Sequence, residues 1–385
     1  MGYFKDIKNS FKLKHYTNYI VVGAALVLFV ILGSMGALGR SNLGLLHRIA
    51  YSIVLAVSLN LVVGFLGELS LGHAGFMCVG AYIGCFFGLK TIEAIGNPLV
   101  TMILSMLVGG AVAAVFGFII GLPALRLKGD YLAIVTLAFG EIVRNIFKNL
   151  SLFGGAKGMQ TAKISYDQKT LYIISFIVVL AVLFFVQNLI RSKHGRAITA
   201  IRDNEIAAKA MGINVTYYKL FVFVVAAFFA GVAGVMYGFQ VSPIEQSFFS
   251  YNYSIEILVM VVLGGMGSIG GSIAAATLIT YVNFMLQNHL SGELAALKLL
   301  IYAIILILVV VFKNAPALKP LRERFNLRSL IRKITKSHTK PHNISDDEAE
   351  WNRVETKIKM DELLSVDFQQ KNTYTPDKKS KKEDK

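Results

Sequence analysis

TLYIISFIVVLAVLFFVQNLI, residues 170–190, runs for 21 residues without a charge. At ~1.5 Å of helical rise per residue, such a run is about long enough to cross the ~30 Å hydrocarbon core of a bilayer. Comparable apolar stretches occupy 19–38, 49–67, 72–89, 98–122, 131–147, 220–240, 254–266, 270–288 and 294–312. The chain has 385 residues, 55% of them hydrophobic, and includes 26 Phe and 34 Gly. Only 16% are charged, against roughly 25% in a soluble protein. The expected fold is all-α: a polytopic helical membrane protein with about ten transmembrane segments. The first run follows Lys5, Lys8, Lys12 and Lys14 and ends near Ser34-Met35-Gly36, as a secretory signal does. It is long for a signal peptide and more spans follow, so an uncleaved first helix is the reading.

Basic residues set the orientation. The loop 191–219 carries Arg191, Lys193, Arg196, Arg202, Lys209 and Lys219, whereas 241–253 carries no lysine or arginine. The first is expected in the cytoplasm and the second outside. Ten spans then put the N-terminal segment 1–18, Arg126, Lys128 and the tail inside. The segment 148–169 falls outside despite Lys148, Lys157, Lys163 and Lys169, and 254–266 is short for a span. The span count therefore lies between nine and eleven. Net charge is +16, with many basic residues at the ends of apolar runs, which suits anionic lipid headgroups and not nucleic acid. The segment 313–340 is basic with scattered Leu and Ile and is expected to rest on membrane lipids. Residues 341–385 are polar, mixed in charge and expected to be a disordered cytoplasmic tail.

Glycine and polar atoms interrupt the hydrocarbon in two places, GFLGELSLGHAG (64–75) and LGGMGSIGGS (263–272). Glycine-broken segments in the two halves of a transporter point to the transport path. Close helix packing through small residues is the other reading. Glu68, Ser70 and His73 in the first stretch, and Gly264, Gly265 and Ser268 in the second, are the translocation-path candidates. An ionisable group at the membrane centre costs at least ~2.5 kcal/mol, which favours function for the first stretch if it lies deep. At the cytoplasmic face that argument lapses.

Other patterns are decoys. Cys78 and Cys85 are seven residues apart on one apolar segment, about 10 Å along a helix and too far for a disulfide. Pro341 breaks any helix that would pair His338 with His342, so no metal site is expected. Gly265-Met266-Gly267-Ser268-Ile269-Gly270 matches G-x-G-x-x-G but sits in apolar helix instead of following a strand. There is no P-loop and no catalytic set, and Glu141 and Arg144 are expected to pair at a helix end. A transport subunit is the reading, and no enzyme. An ion-coupled secondary transporter using Glu68 or His73 as a proton site is the rival from another class.

Between the spans lies AIRDNEIAAKAMGIN (200–214), a short charged helix. Asp203 or Asn204 suits its start, Glu205 its first turn, Lys209 its last, and Gly212 a left-handed stop. Ile206, Ala210 and Ile213 share one face, with Ala207 and Ala208 keeping the middle slim. Such a helix suits a groove on a soluble partner; lying on the bilayer is the alternative. The pattern E-x-A-A-x-x-x-G (Glu205, Ala207, Ala208, Gly212) resembles the EAA loop of ABC importer permeases, although Ile206 departs from the usual run and no Leu-Pro follows. LNLVVGFLGELSLGHAGFMCVGAY (59–82), GLPALRLKGDYLAIVTLAFGEIVRN (121–145), GRAITAIRDNEIAAKAMGINVTYYKL (195–220) and SIEILVMVVLGGMGSIGG (254–271) narrow the resemblance. They are similar to the M-type permease subunit of branched-chain amino acid (Liv-type) ABC importers, over roughly 50–312 of this chain. The resemblance implies a permease domain over 19–312 whose cytoplasmic loop 191–219 couples to an ATPase through Glu205, Ala207, Ala208 and Gly212. It implies a second, H-type permease, two ATP-binding subunits that hold ATP and Mg, and an extracytoplasmic solute-binding protein. No cofactor is expected on this chain. The implied cargo is leucine, isoleucine or valine, with urea or a short amide as the alternative for the same machinery.

Overall fold

The computed structural model describes residues 22–24, 39–127, 129–164, 168–289, 304 and 307. The expected segments 1–18, 313–340 and 341–385, the span 294–312 apart from two residues, most of the span 19–38, Lys128 and the His338/His342 pair lie outside the described residues. The described helices, numbered from Arg40, are α1 (Arg40–Asn60, continued by a π-helical turn Leu61–Leu66), α2 (His73–Ile95), α3 (Pro98–Ala124) and α4 (Asp130–Asn149). They continue with α5 (Gln168–Arg191), α6 (Lys193–Asp203), α7 (Glu205–Ala210), α8 (Val215–Gln240), α9 (Tyr251–Gly264) and α10 (Ile269–His289). The chain is an all-α multi-pass membrane protein. Among the described residues, six helices are long and apolar enough to cross a membrane: Ser41–Leu66, His73–Ile95, Pro98–Ala124, Thr170–Arg191, Val215–Gln240 and Ile269–Gln287.

Local chemistry sets several helix starts. Asn97 accepts from Leu99 N at 3.0 Å ahead of Pro98, which tolerates the first turn because its missing N–H has no helical partner there. Ser192 accepts from His194 N and Gly195 N, and Asn214 from Tyr217 N, so α6 and α8 are capped as well.

α1 is the centre of the molecule. Its apolar window is 100% buried, against 33% for α3 and 28% for α10, which leave most of their surface to lipid or partners. It packs against α5, α8, α9 and α10. A helix with no lipid-facing side tolerates polar residues if each finds a bond. His47 does so, donating from Nε2 to Met236 O at 2.8 Å while its Nδ1 lies 2.6 Å from Ser175 Oγ. Beside it α2, α3 and α8 pack backbone to backbone through Gly80, Gly84, Gly109 and Gly231; a Cβ on Gly80 would collide with the backbone of Gly231. Small residues serve there to bring helices close.

Two expectations change. The expected segment 131–147 forms α4, but with Asp130, Glu141, Arg144 and Lys148 on it α4 is amphipathic and falls outside the apolar set. Glu141 and Arg144 do pair, at 2.6 Å, but in the middle of α4. The second Glu141 oxygen accepts from Tyr251 N at 3.1 Å, serving an otherwise orphaned amide at the start of α9. α9 is short, as the segment 254–266 was expected to be, and the chain before it is drawn into the protein, with Phe249 buried against Tyr82 and Tyr237. Cys78 and Cys85 are free and buried.

Candidate functional site

Both glycine stretches break helices. α1 ends in its π-helical turn, Glu68 N donates to Val62 O at 3.1 Å, and Gly67 (φ +83°) turns the chain out of the helix. α2 begins only at His73. The second break follows α9, where Gly265 (φ +97°) and Gly267 (φ +78°) carry a conformation that side chains resist, and α10 restarts at Ile269. The G-x-G-x-x-G match therefore spans a break between two helices, and no strand precedes it among the described residues.

The breaks touch each other. Asn60 Oδ1 accepts from Gly267 N at 2.9 Å, and Asn60 Nδ2 donates to Ser272 Oγ at 2.9 Å. A Cβ on Gly64 would run into Gly267 N, so the two backbones lie in contact. Ser268 Oγ accepts from Gly271 N at 3.2 Å and steadies the start of α10. Gly264 lies against the backbone of Gly271, where a Cβ would stand 2.5 Å from Gly271 C.

The loop 191–219 closes on this junction. It folds as two helices, α6 and α7, hinged at Asn204, whose side chain accepts from Ala207 N at 3.0 Å and caps α7. Gly212 (φ +80°) ends it in the left-handed conformation. Arg202, at the end of α6, donates from Nη1 to Gly64 O at 3.0 Å, and a Cβ on Gly67 would stand 2.7 Å from its Cγ. Asp203 holds the other guanidinium nitrogens at 2.9 and 3.1 Å. Lys219, the fifth residue of α8 and only 4% exposed, pairs with Glu68 and lies 3.2 Å from Glu205 Oε2. A buried ammonium needs compensating carboxylates, and here they come from the first break and from α7.

The sequence-derived residues thus divide. Glu68 and Glu205 meet through Lys219, and Gly264, Gly265 and Ser268 lie at the second break beside Gly64. His73 is buried at the start of α2 with Nε2 2.8 Å from Ser58 Oγ, and Ser70 is buried with no hydrogen-bond partner on its hydroxyl among the described residues. On α7, Ala208 is buried against its own chain, so bulk placed there acts within the protein. The outward surface is Ile206 (81% exposed), Ala207 and Ala210, with Met211 (82%) at the helix's C-terminal cap. Sequence reasoning missed Asn60 and did not single out Lys219. A lone Asn inside an apolar run was the available signal for the first, because a polar group there needs a partner. Among the described residues, no three His, Cys, Asp or Glu side chains gather into a metal-binding group.

A family model described as "Branched-chain amino acid transport system / permease component" matches residues 41–310. The chain is similar to the high-affinity branched-chain amino acid transport system permease protein LivM of Escherichia coli, with 32% identity over 341 residues, 80% of this chain and 76% of that protein. LivM of Salmonella typhimurium is 32% identical over 312 residues, 72% of this chain and 70% of that protein. LivH of Salmonella typhimurium is 22% identical over 261 residues, covering 62% of this chain and 83% of that protein. No solved structure matches.

Proposed function

This chain belongs to the branched-chain amino acid transport permease family, and from that premise we propose that it is the M-type permease subunit of an ATP-driven ABC importer. Its cargo is leucine, isoleucine or valine, moved into the cytoplasm. It works beside an H-type permease, with two ATP-binding subunits on the cytoplasmic side and a solute-binding protein outside. ATP and Mg reside on the ATP-binding subunits, and their closure supplies the work.

One observation carries the reading. α7 and its C-terminal cap present the exposed apolar side chains Ile206 and Met211 outward, while the other side of α7 is tied through Glu205 and Lys219 to the first glycine break. A helix with an apolar outer face and an anchored inner face is suited to take a push from a docked subunit and hand it inward. The path candidates are Glu68, Ser70, His73, Gly264, Gly265 and Ser268, where the broken helices offer polar groups beside apolar walls. Against the ion-coupled rival stands Glu68 itself, whose carboxylate is already neutralised by Lys219.

The test is uptake of labelled leucine into proteoliposomes holding the chain with its four partner subunits. ATP-dependent uptake that survives collapse of ion gradients is expected. Uptake driven by an ion gradient without ATP would overturn the proposal.

A further inference from the structure

Lys219 has more partners than burial alone requires. One carboxylate is enough to neutralise an ammonium, yet two converge on it from segments far apart in sequence: Glu68 in the first break and Glu205 on α7. The two are not alike. The Glu68 side chain is 13% exposed and that of Glu205 35%, so water competes for the second pair and hardly for the first. Arg202 makes a second tie, from α6 to the carbonyl of Gly64. From Gly64 the connection continues by backbone contact to Gly267, with Asn60 bonded to Gly267 N and Ser272. A chain of polar bonds and close backbone contacts therefore runs from α7 through the first break to the second.

Glycine explains why a tie here has something to move. The breaks contribute no side chains of their own to hold them at Gly64, Gly67, Gly265 and Gly267, and three of these four have positive φ. Their positions are set by what neighbours do to their backbone. Arg202 acts on that backbone directly and Lys219 through the carboxylate of Glu68, one residue on from Gly67.

We propose that Lys219 and Arg202 are positioning residues that fasten the coupling loop to the paired glycine breaks, so that displacement of α7 becomes displacement of both breaks. Glu68 is the anchor of this clasp and Glu205 its detachable arm. The inference rests on the ATP-driven reading above and names the residues through which that reading would operate.

The experiment measures leucine taken up per ATP hydrolysed by the full reconstituted complex, with retention of the ATP-binding subunits read in parallel. Lys219→Met is expected to keep those subunits and continue hydrolysis while the ratio falls more than tenfold. Lys219→Arg, which retains the charge and can reach both carboxylates, should hold the ratio within about twofold of the wild type. Glu205→Gln leaves Lys219 paired with Glu68 and guards against misfolding of the Met variant; its ratio should fall at least threefold. Arg202→Met should lower the ratio as well. An unchanged ratio in Glu205→Gln and Arg202→Met would overturn the clasp. A wild-type complex that takes up leucine without ATP would overturn the underlying reading as well, and is distinguished because no variant is needed to see it.

Discussion

The two ends of the helix bundle are held together by different bonds. At one end, the chain around 159–161 is stitched to 241–244 by neutral groups. Met159 and Ile244 exchange both backbone bonds, at 3.0 and 2.9 Å, Thr161 Oγ1 donates to Val241 O at 2.8 Å, and Tyr82 OH donates to Ile244 O at 3.0 Å. Tyr82, Phe147, Phe153, Phe249 and Tyr237 pack around this seam. At the other end the contacts are an ammonium between two carboxylates, a guanidinium on a carbonyl, and glycines with positive φ. Neutral bonds packed among aromatic rings favour one geometry. The Lys219–Glu205 pair, in part contact with water, can be exchanged at smaller cost than the buried Lys219–Glu68 pair. The first end reads as a frame and the second as the moving part.

The comparison breaks most severely at Gly265. At φ +97° and ψ 118° a side chain is strained by about 1–3 kcal/mol. Gly265→Leu should abolish uptake, a loss of more than about tenfold, while the ATP-binding subunits still co-purify, because α7 is untouched. If transport by this variant matched the wild type, the second break would be no part of the moving end.

A smaller loss is expected at the outer face of α7. Ile206→Asp places a charge where an exposed isoleucine would enter a partner's groove, and nothing inside the chain depends on that side chain. Association with the ATP-binding subunits should weaken by at least ~tenfold, or about 1.4 kcal/mol, with membrane insertion unaltered. Pull-down against the purified subunits reads this directly. Equal binding would mean that α7 lies on the bilayer, where isoleucine and aspartate differ in another way.

Much of this arrangement was legible in the sequence. Apolar run length marks spans because a bilayer has a fixed thickness, and Gly67, Gly212 and Gly265 sit where the chain adopts positive φ. Asn204 could be read as a cap from its place before Glu205. Other features were hidden for physical reasons. Sequence carries no depth, so nothing in 64–75 revealed that Glu68 would meet Lys219, 151 positions along the chain. Helical periodicity placed Ala208 on a slim side but could not say which side faced the protein's own core. Glu141 and Arg144 were correctly paired, since i and i+3 are neighbours on any helix. The carboxylate's bond to Tyr251 N was invisible, because it joins elements that only the tertiary fold brings together.

The mildest change sharpens the comparison from the frame side. Thr161→Val keeps the shape of the side chain and removes the hydroxyl that donates to Val241 O. A neutral hydrogen bond of this kind contributes about 1 kcal/mol net, and a carbonyl left without its donor raises the cost toward the upper part of a ~1–3 kcal/mol range. The backbone stitch between Met159 and Ile244 remains, and Thr161 N still donates to Ser242 Oγ at 3.0 Å, so the seam should hold its geometry. Thermal unfolding of the purified protein should therefore shift down by a few degrees, while leucine carried per ATP hydrolysed stays at the wild-type value. That separation of stability from coupling is what a frame predicts. A fall in the coupling ratio without loss of stability would show that the 159–161 seam moves during transport, and that the division into a fixed end and a working end is drawn in the wrong place.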